Sequence, residues 1–131
     1  MSASFQQRYD TAKASYIRTN EKKFADLPAG STILIPSPQD IDAEVNLLGE
    51  GKNLTFTELR HSLAQRHGAD GSCPVMTGMN LRIAAEVTFE ALDAGVPIDQ
   101  VVPIWKVIDP AGPLAPKLPG GAARVQELRQ A

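Results

Sequence analysis

The 131-residue chain is the length of one domain, and its 43% apolar residues are enough to bury a core, which excludes a disordered polyelectrolyte. Its net charge of −2 divides into −2 over residues 1–50 and zero over 51–131. Neither half is a basic block, so any nucleic-acid contact requires a local patch of Lys and Arg.

Phe5, Tyr9, Ala12, Tyr16 and Ile17 recur at helical spacing and predict an amphipathic helix over 4–25, with Arg8, Lys13, Arg18 and Lys22 on the opposite face. Leu27-Pro28-Ala29-Gly30 ends it. Thr32-Ile33-Leu34-Ile35 is a short β-branched run, expected as an edge strand closed by Pro36. Residues 1–36 thus form an N-terminal helix and strand ahead of a domain over 37–131.

Ser37 predicts a helix cap, with Pro38 at the first helical position and Asp40 completing a capping-box pattern. Ile41, Val45 and Leu48 supply the apolar stripe. Thr55-Phe56-Thr57-Glu58 is a second capping box, opening a helix with Leu59 and Leu63 inside and Gly68 as its stop. After a turn-rich connector through Cys73-Pro74, the longest helix is expected over 77–94, with Leu81, Ala84, Ala85, Thr88 and Leu92 on one face. Val101 to Ile108 is read as a strand, and Asp109-Pro110-Ala111-Gly112 as a turn. Pro113-Leu114-Ala115 would return antiparallel. Leu118-Pro119-Gly120-Gly121 leads to a last helix from Ala122 to the chain end. The expected fold is mostly α with a small β hairpin, a winged helix-turn-helix: 56–67 supports, 77–94 recognises and 103–115 is the wing.

The single cysteine, Cys73, excludes an internal disulfide and fits a reducing cytoplasm. No apolar run reaches membrane-span length, and the polar residues after Phe5 leave no signal-peptide core. His61, His67, Asp70 and Cys73 are a poor metal set, because the two histidines fall on different helix faces. No metal or cofactor is expected.

Residues 40–131 resemble the DNA-binding domain of the alkylguanine-DNA alkyltransferases. Thr55-Phe56-Thr57-Glu58-Leu59 matches that family's Thr-Tyr-Gly-Glu-Leu, and Thr77 to Ala85 stands at its recognition helix. Pro103-Ile104-Trp105-Lys106-Val107-Ile108 aligns with its Pro-Cys-His-Arg-Val run, with Gly112 following. Leu118-Pro119-Gly120-Gly121 stands before the last helix. The departures matter. Ile104 and Trp105 occupy the positions of the nucleophilic cysteine and its activating histidine, so neither residue accepts an alkyl group or shuttles a proton. Phe56 keeps the aromatic ring of the family's tyrosine without its hydroxyl.

The resemblance therefore implies no catalytic residue. It implies a protein of the alkyltransferase-like type, which binds alkylated DNA without repairing it. DNA contacts are expected from Phe56, Asn80, Arg82, Arg60 and Lys106, with Arg66 and Lys52 as further phosphate candidates. A base pocket is expected from Pro103, Ile104 and Trp105. The bland reading of these residues is a core tryptophan, a helix staple and an ordinary solvated face. A rival class is a protein-interaction module without DNA binding, a homodimer through its N-terminal helix.

Overall fold

The computed structural model describes residues 4–130 and is mostly helical, with a three-stranded sheet. α1 spans Phe5–Asp10, opened by a capping box between Ser4 and Gln7. The expected helix over 4–25 ends there. Thr11 caps its C-terminus, with Oγ1 donating to the Gln7 carbonyl at 2.7 Å. Tyr16–Thr19 is instead strand β1. The aromatic and β-branched residues that completed the helical stripe suit an extended, paired backbone better.

β2 is Thr32–Ile35, and it is central rather than an edge strand. β1 pairs with it antiparallel, Tyr16 opposite Ile35. On its other side lies the two-residue strand β3, Gly71–Ser72, running parallel. This pairing crosses the expected boundary at residue 36, and Leu27, Ile33 and Ile35 share a small cluster with Cys73.

α2 is Pro38–Asn46, capped as expected by Ser37, whose hydroxyl accepts from the Asp40 N–H at 3.1 Å. The return bond is rerouted. The Ser37 N–H donates to Ser15 Oγ at 2.8 Å, and that hydroxyl donates to the Asp40 carboxylate. α3 is Phe56–His67, with the reciprocal Thr55–Glu58 box formed and Gly68 left-handed at φ 76°. The Thr55 N–H and hydroxyl hold the Glu58 carboxyl below its ordinary range.

α4 is Pro74–Asp93 and begins a turn earlier than expected. Pro74 sits in its first turn, where the missing N–H costs nothing. The strand expected over 101–108 does not form: Ile98–Gln100 and Ile104–Val107 are short 3-10 turns. Pro97, Pro103 and Pro110 interrupt any ladder. The segment is apolar because Ile104, Trp105, Val107 and Ile108 are buried in the main core, with α2, α4 and α5 against the Ile104–Val107 turn. Burial on every side, without strand alternation, gives the same uninterrupted apolar run.

The turn at 109–112 is present, with Gly112 N–H to the Asp109 carbonyl and Ala111 N–H to Asp109 Oδ1, both at 2.9 Å. The returning strand is absent; Ala115–Lys117 is another 3-10 turn. The small sheet thus comes from strands between residues 16 and 72, and no hairpin forms over 103–115. α5 is Gly121–Gln130; the expected helix end at Ala131 lies outside the described residues.

Candidate functional site

Phe56 at the start of α3 faces Pro74, Gly78 and Leu81 of α4 across a cleft of about 300 Å³. Val107, Ile108, Asp109, Gly112, Pro113 and Leu114 close the other side. The lining is almost wholly apolar. Gly78 keeps the space open: a Cβ there would stand 3.8 Å from the Phe56 ring. Phe56, Asp109, Gly112 and Pro113 also border a larger, more open groove over the start of α3, reaching Thr55, Glu58 and Arg129. Asp109 is exposed, and its side chain borders both spaces.

The wall formed by residues 104–109 is fastened from two directions. Arg129 of α5 donates from Nη1 to the carbonyls of Trp105 (2.9 Å) and Ile108 (2.8 Å). The Leu54 N–H donates to the Lys106 carbonyl at 2.9 Å, and Lys106 Nζ to the Gly49 carbonyl at 3.1 Å. This rigidity suits a preformed binding surface.

The residues expected to meet DNA separate into two groups. Phe56 lines the cleft and Arg82 is solvent-facing, its Nε 3.6 Å from Glu86 Oε2. Arg60 and Asn80 are buried and committed inside the fold. Arg60 donates to the Ser72 carbonyl through Nε (3.1 Å) and Nη2 (2.8 Å), and pairs with Asp26 at 2.7 Å. This pairing holds the Asp26 carboxyl below its ordinary range. Asn80 Nδ2 donates to the Pro36 carbonyl at 2.7 Å. Arg66 pairs with the buried Glu44.

The expected base pocket also shifts. Ile104 is fully buried and Trp105 is 7% exposed; both belong to the core, and Pro103 is half-buried beside them. None of the three lines the cleft, which takes the next residues along the same segment. Sequence reading missed Pro74, Leu81, Asp109, Pro113 and Leu114 as lining residues. Asp109 carries only a turn signal and Pro113 only that of a returning strand, and nothing local shows that this segment folds back towards Phe56. Cys73 is buried at the N-cap of α4 and lines none of these spaces. No cluster of three or more potential metal-ligating side chains is found among the described residues.

On α4, about 100° per residue places Pro74, Gly78 and Leu81 on the cleft side. Val75, Met79 and Arg82 follow around the helix as a solvent-exposed stripe, the first two each 55% exposed. Met76, Asn80 and Ile83 come next and border a different groove with Arg8, Lys13 and Tyr16. The free face of α4 thus has the apolar cleft on one flank and the N-terminal segment on the other.

Comparison with known family models, curated proteins and solved structures finds no match for this chain.

Proposed function

We propose that this protein is a non-catalytic, alkyltransferase-like DNA-binding protein that senses alkylated or damaged bases. The observation that carries the reading is the apolar cleft between Phe56, α4 and the segment after Trp105, beside the exposed stripe of α4. Its size and lining suit the face of a nucleobase turned out of the duplex. α3 and α4 then act as the two helices of a helix-turn-helix, with the 108–115 turn in place of a stranded wing. Ile104 and Trp105, where the resembled family has cysteine and histidine, leave no acceptor for group transfer.

Trp105 provides the test. It is the single tryptophan, and Val107 and Ile108 beside it line the cleft. Titration with plain and O-alkylguanine duplexes at low salt is expected to change its fluorescence, more strongly with the alkylated duplex. No response to either duplex refutes the proposal.

A second reading, a protein-interaction module, is favoured by β1, whose four residues are all exposed and whose outer edge is unpaired among the described residues. Native mass measurement at micromolar concentration separates the two. A stable dimer with no duplex binding supports this alternative.

A further inference from the structure

The net charge conceals a strong segregation. Residues 4–24 carry five Lys/Arg against two Asp/Glu, whereas 25–131 carry eight against thirteen. The structure concentrates the positive part on one exposed feature. β1 uses only one edge for pairing, and both of its faces are exposed. Tyr16 lies opposite Ile35 and Arg18 opposite Ile33. Their side chains therefore share the sheet face on which Ile33 and Ile35 pack near Met76 of α4. Lys13 Nζ stands 4.3 Å from the centroid of the Tyr16 ring. Lys22 and Lys23 continue the series just beyond the strand, on an open surface shared with Arg18.

None of Lys13, Arg18, Lys22 and Lys23 forms a salt bridge among the described residues. Elsewhere Arg60, Arg66, Arg82 and Arg124 are paired with carboxylates, while Lys52, Lys106, Lys117 and Arg129 form no salt bridge among the described residues but lie scattered over the chain. The cations on and beside β1 remain available to an outside anion. Lys13 and Tyr16 border the groove along the far flank of α4, across its exposed stripe from the apolar cleft.

We propose that Lys13, Arg18, Lys22 and Lys23 form a phosphate-contacting arm that grips the duplex backbone beside α4. The inference rests on the DNA-binding reading and supplies what that reading lacks, a source of positive charge in an acidic protein. Backbone phosphates match exposed, unpaired cations spread along an extended segment. The cleft would then meet a base while the arm holds the strand on the opposite flank of the helix.

The experiment is a salt series of anisotropy titrations with a labelled plain duplex, comparing the wild type with K13A/R18A/K22A/K23A. Each neutralised phosphate contributes about 0.9 to the slope of log K against log salt, so the slope is expected to fall by about 3 to 4. A second variant, K22E/K23E, alters only exposed residues next to the strand and is expected to weaken binding at low salt by at least tenfold. Circular dichroism checks that both remain folded. Duplex binding by the wild type with a slope change below 1 overturns the arm and leaves the DNA-binding reading standing. No wild-type binding to duplex overturns both. Binding to phosphatidylserine vesicles but not to duplex assigns the strip to an anionic membrane surface and likewise overturns the proposal.

Discussion

The Tyr9 hydroxyl donates to Asp42 Oδ2 at 2.6 Å, tying α1 to α2. Gln39 adds a bond from Nε2 to the Tyr9 carbonyl at 2.7 Å. The other Asp42 oxygen is buried with no hydrogen-bond partner among the described residues. Burial pushes the Asp42 carboxyl up to about 6, against the pull of the Tyr9 hydrogen bond. Burial and the nearby carboxylate also push the Tyr9 phenol up.

A pH dependence of stability follows. Between its unfolded value near 4 and its folded value of about 6, Asp42 binds more protons folded than unfolded. Its contribution to stability is therefore greatest below pH 4 and is lost as pH rises to 6. The loss is on the order of 2–3 kcal/mol. Urea unfolding at pH 4, 5, 6 and 7 checks it. Asp42→Asn should remove this component, so that the difference between variant and wild type changes across the window and is flat above it. A difference that is constant from pH 4 to 7 rejects the assignment.

Arg60 is predicted to act as a structural residue with no contact to DNA. Arg60→Ala leaves the buried Ser72 carbonyl without its two guanidinium donors and Asp26 without its partner. The expected cost is roughly 2–4 kcal/mol, read from denaturant midpoints. At low temperature, where the variant is folded, duplex affinity should remain within twofold of the wild type. A stable variant with strongly reduced affinity contradicts this role.

Gly78 lines the proposed base cleft and also sits inside a helix, so one substitution tests both. It lies within α4, where replacing glycine with alanine gains roughly 0.5–1 kcal/mol. The new Cβ meets only the Phe56 ring at an ordinary contact distance of 3.8 Å. Gly78→Ala should therefore raise Tm by a few degrees. It should also narrow the cleft and, under the proposed DNA-binding reading, reduce a preference for O-alkylguanine over plain duplex. An unchanged preference in the more stable variant places the base elsewhere.

The parts of the fold that were legible in the sequence are those decided by neighbours in the chain. Ser37 and Pro38 start α2, Thr55 and Glu58 start α3, and Gly68 ends it, all through bonds spanning a few residues. Tyr16–Thr19 was misread because its partner strand lies beyond a loop at 32–35, and local spacing fitted a helix equally well. Ile104–Val107 was misread because burial among three helices imitates a strand's apolar run. The same limit governs the site. Phe56 stood out as an aromatic at a helix start, and it does line the cleft. Arg60 and Asn80 stood out as polar residues on helices, yet their partners, Ser72 and Pro36, are fixed only by tertiary folding. Asp109 and Leu114 became part of the site only when the turn carrying them met α3 and α4.

The central place of β2 has a kinetic meaning. Ile33 pairs with Gly71 only after α2 and α3 have been laid down between them. Among the described residues β1 pairs with no strand but β2. All four residues of β1 are exposed, and segments with little burial open ahead of the packed helices. Backbone amides of Tyr16–Thr19 would exchange with solvent well ahead of those in the middle of α4. The strand that carries Arg18 is then the exposed margin of a firmer helical body, and under the proposed reading it is the part best able to adjust its path along a nucleic-acid backbone.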